Sequence, residues 1–338
     1  MGNHIGSKVS NKRRVSPDRF FDFILNYLVV IAILLLLLIT VIIEPKVISL
    51  QNISNIINQF SGLSMVALGM TLVIIGGFID LSVVGVINLV AIVTIMLIQP
   101  LGQLPAFLIG LTLGATLGFL NSKVILSCGA KTKHTALFVT YGLSAVYSAL
   151  AMIICKGETQ NMFFIDRNKS IFTFIGQGKI GIISISFVLF LFFMLILHIF
   201  HKKTYMGRAI SLIGGNKTAA ALAGIPVNGT ISLIFTLSGF MAAFAAIVLF
   251  SRVTVAQAVI GNGYDLNAIL AVVVGGTPLA GGKGSVLRTF LGVLLVTLLS
   301  NCLDLLGVNP YMKVLLTGAI LVMSIWLDNR KEQRRASK

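Results

Sequence analysis

Charged residues are scarce in this sequence of 338 residues. Asp, Glu, Lys and Arg together make up 11% of the chain, whereas hydrophobic residues make up 57%. A soluble domain carries about 25% charged residues, so a soluble protein of this composition could not cover its surface with polar groups. The scarcity of charge therefore excludes an ordinary soluble protein and favours one that is embedded in a membrane.

Cysteine and histidine are also rare, which leaves little material for a catalytic or metal site. The three cysteines, Cys128, Cys155 and Cys302, are far apart and include no CxxC pair, so we expect small buried residues. His198 and His201 are three residues apart but have no third ligand beside them. Neither a Ser-His-Asp set nor a pair of acids is placed for catalysis. We expect no metal ion and no enzymatic activity of the chain's own.

Long apolar segments, in contrast, recur along the whole chain. A helix of about 20 apolar residues crosses the ~30 Å hydrocarbon core of a bilayer. The transmembrane domain is predicted to cover residues 23–327, between a basic N-terminal segment (1–22) and a basic C-terminal tail (328–338). The pattern predicts an all-α, polytopic membrane helix bundle with about ten transmembrane spans, at 23–43, 61–79, 81–98, 104–122, 135–155, 180–200, 230–250, 266–281, 286–306 and 311–327.

The net charge of +16 is large enough to suggest a nucleic-acid partner. However, Lys and Arg concentrate in one alternating set of segments, namely both termini and residues 123–133, 202–217 and 283–288. Cytoplasmic loops of membrane proteins carry such an excess, so the distribution predicts that the N-terminus and the C-terminus are both cytoplasmic. The positive charge thus indicates orientation in a membrane, and we expect no nucleic-acid partner.

Small residues recur at a spacing of about four in two of the predicted spans. Gly110, Gly114 and Gly118 share one face of the fourth span, and Gly239 and Ala243 share one face of the seventh. Small faces let helix backbones approach closely, which favours association in lipid. We therefore expect these faces to serve helix packing.

Asp80 stands alone between two predicted spans, within residues 76–82 (GGFIDLS). A carboxylate at the bilayer centre costs about 2.5–3.5 kcal/mol, so it should lie near an end, be paired, or line water. One interpretation is a carboxylate that couples transport to an ion or proton. The interpretation we favour is an N-cap, formed by Asp80 or Ser82 at a break between two helices. Gly77, Asp80, Ser82 and, in the next span, Asn88 are candidates for the break or the solute pathway.

A second glycine-rich segment, residues 275–284, separates the eighth and ninth predicted spans. It is not a phosphate-binding P-loop, because that motif needs Gly where Thr277 stands and Ser or Thr where Gly284 stands. This segment is weakly similar to the region before Asp80, since VVVGG at 272–276 parallels VIIGG at 73–77. Further candidates for a break or the pathway are Gly275, Gly276 and Thr277.

The segment 201–229 connects the sixth and seventh predicted spans on the cytoplasmic side. Asn216 can cap a short helix of Ala and Leu, and Gly224 followed by Pro226 ends it. The sequence therefore predicts a helix of about two turns that is suited to contact by a cytoplasmic partner. The polar outer segment 156–179 suits either an extracytoplasmic partner or simple solvation.

Three ordered segments resemble motifs of sugar-uptake ABC permeases of the ribose, xylose, arabinose and galactose class. Residues 207–225 resemble the pattern GR…GGNxxAAxxSGI, residues 79–83 resemble GGIDLSVGS, and residues 271–285 resemble AVVxGGTSLxGGxGS. The resemblance extends from about residue 20 to the C-terminus, and the chain is identified as a member of that class.

The resemblance implies a permease subunit in the bacterial inner membrane, which moves a monosaccharide such as ribose or a similar small polar solute into the cell. Its expected partners are a second permease subunit, forming a homodimer, a cytoplasmic ATP-binding subunit and an extracytoplasmic solute-binding protein. ATP and Mg²⁺ would bind to the partner ATPase, so this chain would hold no cofactor. The helix near 215–224 would be the coupling helix, and the residues that match the motif are Gly207, Arg208, Gly214, Gly215, Asn216, Ala219, Ala220 and Gly224.

Some positions depart from the resemblance and indicate a divergent member. Phe78, Val84 and Arg288 stand where the class usually has Gly, and Ala223 replaces the usual Ser. An alternative function is a secondary transporter or channel that uses Asp80 for ion coupling. The predicted cytoplasmic helix favours the permease, because a self-contained transporter needs no dock for an ATPase.

Overall fold

The computed structural model describes residues 17–129, 133–162 and 170–336, and helices dominate these residues. A 3-10 turn covers Pro45–Ile48. Two short antiparallel ladders pair β1 (Gln160–Asn161) with β4 (Val255–Ala256) and β2 (Lys179–Ile180) with β3 (Ile183–Ser184). The helices are α1 (Pro17–Ile43), α2 (Leu50–Ile75), α3 (Val83–Leu101), α4 (Gln103–Ser127), α5 (Lys133–Ile154), α6 (Ile171–Gln177), α7 (Ile185–Lys203), α8 (Tyr205–Gly215), α9 (Lys217–Leu222), α10 (Val227–Val253), α11 (Tyr264–Val274), α12 (Val286–Leu305) and α13 (Pro310–Ala336).

Seven of the described helices are long and apolar enough to cross a membrane, namely α2, α3, α4, α5, α7, α10 and α12. Three further apolar helices are shorter, at Val30–Ile43, Tyr264–Val274 and Pro310–Trp326. Each predicted span overlaps one of these ten helices, so the prediction of an all-α polytopic membrane protein is confirmed.

The centre of the bundle is formed by α2 and α10, whose apolar residues are mostly buried within the protein. Around them, α4, α5 and α7 expose much of their apolar surface, as expected of helices that face lipid. Phe60 of α2 lies in an aromatic cluster, 5.1 Å from Phe190 of α7 and 5.3 Å from Phe290 of α12, measured between ring centroids. The core therefore joins α2 to both neighbouring helices.

Two helices, α2 and α11, have boundaries that differ from those of the predicted spans. The helix α2 begins eleven residues before the predicted 61–79, because its polar first turns are satisfied inside the protein. Asn52 of α2 and Asn301 of α12 exchange two amide hydrogen bonds, of 2.9 and 3.0 Å. The helix α11 is shorter than the predicted 266–281, because it ends at Val274 before a glycine pair.

The prediction that all three cysteines are buried is wrong for Cys128. This residue caps the C-terminal end of α4 and is exposed, whereas Cys155 and Cys302 are buried. Its position at a helix end, beyond the last apolar turn, explains the exposure.

Small residues join α4 to α10, so the prediction that these faces serve helix packing is confirmed. A Cβ atom added at Gly114 would meet the Ala243 side chain and the Gly239 carbonyl, and one added at Gly118 would meet the Phe235 carbonyl. The two backbones are therefore in direct contact, which a larger side chain would prevent. Gly110 differs, because it faces Thr94 of α3.

We predict that Gly118→Ala lowers the free energy of unfolding by about 1–3 kcal/mol, because its methyl group must push the α10 backbone away. Thermal unfolding of the detergent-solubilised protein measures the effect. Gly142→Ala is the matched control, since Gly142 also lies in a helix and has no atom within 4 Å of an added Cβ. Equal stability of the two variants would contradict close contact between α4 and α10.

Candidate functional site

Two helices of the bundle end at a glycine pair, and each is followed by a short non-helical segment. The first break (residues 76–82) lies between α2 and α3, and the second break (residues 275–285) lies between α11 and α12. Gly77 and Gly276 have φ angles of +84° and +89°, a conformation that other residues rarely adopt. The predicted helix breaks are therefore present at both glycine pairs.

The two breaks have the same hydrogen-bonding pattern. Phe78 N donates to Val73 O at 3.0 Å, and Thr277 N donates to Val272 O at 3.1 Å. In each break, the N–H of the second glycine (Gly77 or Gly276) also donates to the carbonyl three residues earlier. Both helix ends are Schellman caps. The weak sequence echo between 73–77 and 272–276 thus corresponds to a repeated structure.

Two short helices, rather than the single predicted one, lie between α7 and α10. Thr204 caps α8 by accepting a hydrogen bond from Gly207 N at 3.0 Å. Gly207 is required there because an added Cβ would meet the carbonyls of Phe200 and His201 at the sharp turn from α7. The predicted cap at Asn216 is confirmed, since its Oδ1 accepts from Ala219 N at 2.9 Å at the start of α9.

Backbones of three segments meet where α8 ends, and we call this contact the glycine junction. It comprises the Ile75 carbonyl, Gly77, Gly214, Gly281 and Gly282. Gly282 N donates to Ile75 O at 2.8 Å, which joins the second break to the end of α2. A Cβ added at Gly214 would meet both partners of this bond, and one added at Gly281 would lie 2.7 Å from Gly77 Cα. The junction therefore packs α8 directly against both breaks.

The surface of α8 and α9 that faces away from the junction is exposed and partly apolar. Leu222 is 87% exposed and supplies an apolar side chain to this surface. Arg208 is also exposed, and its guanidinium donates to Lys203 O at 3.3 Å. Gly215, Ala219 and Gly224 are exposed as well, whereas Ala220 is buried. This surface is suited to contact by another protein.

A cation–π contact adds a side-chain link between α9 and the first break. Lys217 Nζ lies 5.7 Å from the centroid of the Phe78 ring. Phe78 is buried, in edge contact with Phe235 of α10. Phe78 therefore connects α9 to the centre of the bundle. The sugar-uptake permeases that this sequence resembles usually have Gly at this position.

Asp80 is buried at 1% exposure, and both of its carboxylate oxygens accept hydrogen bonds. Oδ1 accepts from Ser82 N at 3.0 Å and from Ser82 Oγ at 2.5 Å, and Oδ2 accepts from Ser238 Oγ of α10 at 2.8 Å. Asn121 of α4 donates to Ser82 Oγ at 2.6 Å, and Tyr147 of α5 donates to Asn121 Oδ1 at 2.7 Å. The first break is thus tied to three helices by one polar network.

Hydroxyl groups of α5 satisfy the start of α3. Thr140 and Ser144 accept from Leu81 N and Gly85 N, each at 3.1 Å. The predicted N-cap is therefore only partly right: Ser82 is the capping residue without a side-chain cap bond, and Asp80 accepts from a single backbone N–H. The donors are satisfied across the helix interface because α3 and α5 are in backbone contact.

Asn88 lies one turn further along α3 and connects two other elements. Its amide nitrogen donates to Ser148 of α5 at 3.0 Å, and its oxygen accepts from Gly261 N at 2.7 Å, in the loop before α11. The side chain is fully buried, so Asn88 acts here as a structural link. Thr277, in contrast, is buried with its hydroxyl unpaired among the described residues.

The network contains residues that the sequence did not single out, namely Asn121, Tyr147 and Ser238. All three are polar residues on predominantly apolar helices, and polar residues in a membrane span are themselves a signal of polar contact. Across the described ranges, no cluster of three His, Cys, Asp or Glu could hold a metal ion.

A bundle of apolar helices with two matched breaks, packed against two short connecting helices, defines an integral membrane protein, and broken membrane helices are typical of transporters. The chain belongs to the family described as branched-chain amino acid transport system / permease component, which matches residues 52–325. It is accordingly a multi-pass protein of the bacterial inner membrane and a transport component without a catalytic site of its own.

Curated relatives cover almost the whole chain. It is similar to the ribose import permease protein RbsC of Escherichia coli K12, with 32% identity over 94% of this chain and 98% of the relative. The probable ABC transporter permease protein YphD of the same organism is 36% identical, over 98% and 96% of the two chains. Its galactose/methyl galactoside import permease protein MglC is 30% identical, over 95% and 99%. No solved structure matched the chain.

We predict that Asp80→Ala destabilises the protein by about 1–3 kcal/mol, because Ser82 and Ser238 then lose a buried acceptor. Asp80→Asn keeps one acceptor oxygen, and the Ser238 hydroxyl can rotate to accept from the new amide, so it should cost less. Thermal unfolding in detergent measures both variants. If the two were equally stable, or as stable as the native protein, the network would not hold the first break in place.

Proposed function

We propose that the chain is the membrane permease subunit of an ATP-driven importer of a monosaccharide. Two relatives that cover almost the whole chain are named as ribose and galactose import permeases. The family description instead names branched-chain amino acids. We favour a sugar because the full-length similarity is to sugar permeases, and ribose is the first solute to test.

We further propose the assembly in which it works. Two copies of the chain would form the pathway, a separate subunit would bind ATP and Mg²⁺ in the cytoplasm, and an extracytoplasmic protein would deliver the solute. The proposed bundle has about ten spans with both termini in the cytoplasm. The excess of Lys and Arg in one set of segments supports this orientation.

The glycine junction is the observation that carries the proposal. The exposed faces of α8 and α9 would receive the ATPase, and the opposite face of α8 contacts both breaks through backbone atoms. A contact without flexible side chains transmits displacement directly, because packed interfaces switch between discrete arrangements rather than deform gradually. Movement of α8 would therefore displace α2 and the second break, and with them the helices around the pathway.

A secondary transporter that uses Asp80 is the alternative, and the geometry disfavours it. Both oxygens of Asp80 are engaged by Ser82 and Ser238, and the surrounding described side chains supply hydroxyl and amide groups rather than a second acid or a His. A proton relay through the membrane uses chains of acids or histidines. Asp80 is thus better explained as a structural acceptor that fixes the first break.

Gly214→Ala should uncouple transport from ATP hydrolysis. Its methyl group would separate α8 from Ile75 and Gly282, and an overpacking cost of about 1–3 kcal/mol corresponds to a loss of about 5- to 160-fold in coupled rate. The measurement is solute-stimulated ATP hydrolysis by the assembled transporter in nanodiscs. Basal hydrolysis by the ATPase subunit should remain.

Gly142→Ala is the control, because Gly142 lies in α5, outside the connecting helices, and an added Cβ there has no atom within 4 Å. It adds the same methyl group to a helix away from the junction, so it should retain most of the stimulation. Full stimulation in the Gly214 variant, with the assembly intact by size-exclusion chromatography, would contradict the role of the junction.

A further inference from the structure

A cavity of about 390 Å³ opens beside the second break, and we call it the basic cavity. This volume lies within the usual range for small-ligand sites, about 300–1,000 Å³. It is formed by the last turn of α7, the second break and the first turn of α12. Its lining residues are Lys202, Gly276, Pro278, Lys283, Gly284, Ser285 and Arg288.

Three cations line this cavity without an acidic residue among its described lining. Within the part of the chain whose side chains are described, Lys202, Lys283 and Arg288 form no ion pair. Like charges held together around a cavity repel one another, and a bound anion would relieve the repulsion. The cavity therefore has the charge of an anion site.

The start of α12 adds to the positive potential. Arg288 lies in the first turn of this 20-residue helix, where the helix dipole disfavours a cation. Ser285 precedes the helix and makes no side-chain cap bond, so its hydroxyl does not satisfy the helix N–H groups. Arg288 also stands where the resembled permeases usually have Gly. An anion in the cavity would interact favourably with the cation and with the helix end.

An exposed apolar stripe on α7 leads to the same cavity. Phe192, Leu195 and Ile199 are 57%, 56% and 49% exposed, and their spacing places them on one face of the helix. Lys202 continues this face at the next position, in the last turn of α7. A ligand bound at Lys202 would therefore have an apolar surface directly beneath its anionic group.

We propose that the basic cavity binds the headgroup of an anionic phospholipid from the cytoplasmic leaflet, with its acyl chains along the α7 stripe. The leaflet follows from the orientation given under the proposed function. A soluble anion would contact the three cations but not the apolar stripe on α7. An acidic protein surface would also leave the apolar stripe exposed. A phospholipid satisfies both, and basic pockets between membrane helices on the cytoplasmic side bind such headgroups. The lipid would contact Gly276 and Ser285 and so lie against the second break.

Lipid titration of the full-length permease in detergent, followed by native mass spectrometry, tests this proposal. Phosphatidylglycerol should bind more tightly than phosphatidylcholine. The variant Lys202→Gln, Lys283→Gln, Arg288→Gln should weaken phosphatidylglycerol binding about a hundredfold, because each cation near a charged headgroup contributes about fivefold. A matched control, Lys123→Gln, Lys203→Gln, Arg330→Gln, removes equal charge elsewhere and should bind nearly as well as the native chain.

Four results would overturn the proposal. The first two are unchanged lipid binding by the cavity variant and equal weakening of lipid binding in the control variant. The third is displacement of the lipid by millimolar inorganic phosphate. The fourth is a cavity variant that no longer associates with the ATPase but still binds the lipid. The assay involves no transport, so a permease that imports no sugar but binds phosphatidylglycerol through these residues would contradict the proposed function alone.

Discussion

The hydrogen bond from Gly282 N to Ile75 O, 2.8 Å long, is the constraint on which the other contacts of the glycine junction depend. It forms only because Gly214, Gly281 and Gly77 leave no side chain between the backbones of α8 and the two breaks. Such close approach favours glycine for steric reasons. As a result, α8 is packed against the end of α2 and against the second break, and any displacement of α8 must be shared by both.

The two breaks share a cap but differ in what holds them. The first is fixed by Asp80, whose carboxylate connects it to α4, α5 and α10 through hydroxyl and amide groups. At the same distance beyond the second glycine pair stands Leu279, so the second break has no corresponding carboxylate. Its charged residues are instead Lys283 and, just beyond it, Arg288, at the basic cavity. The repeat thus provides one break anchored inside the protein and one that is accessible at the surface.

Much of this arrangement could be predicted from local sequence patterns. The length of the apolar segments predicted the membrane helices. The glycine pairs predicted the two breaks, and the capping residue Asn216 predicted α9. The helix α8 was missed because Gly207 and the glycine pair at its end, Gly214 and Gly215, suggest a loop. The Thr204 cap and the spacing of the apolar residues nevertheless indicate a helix. Asn121 and Tyr147 were missed for a different reason, since the partner of a polar side chain depends on contacts between distant helices.

If the glycine junction couples the two parts of the molecule, the connecting helices α8 and α9 and the second break move as one body. Spin labels at Thr218 of α9 and Ala280 of the second break, on doubly labelled copies diluted into unlabelled protein, measure this directly by electron–electron double resonance. The distance between the labels should stay the same when the assembled transporter binds ATP, because backbone contacts at Gly214 and Gly282 hold the two segments together. A distance that shifts or broadens on ATP binding would contradict the account.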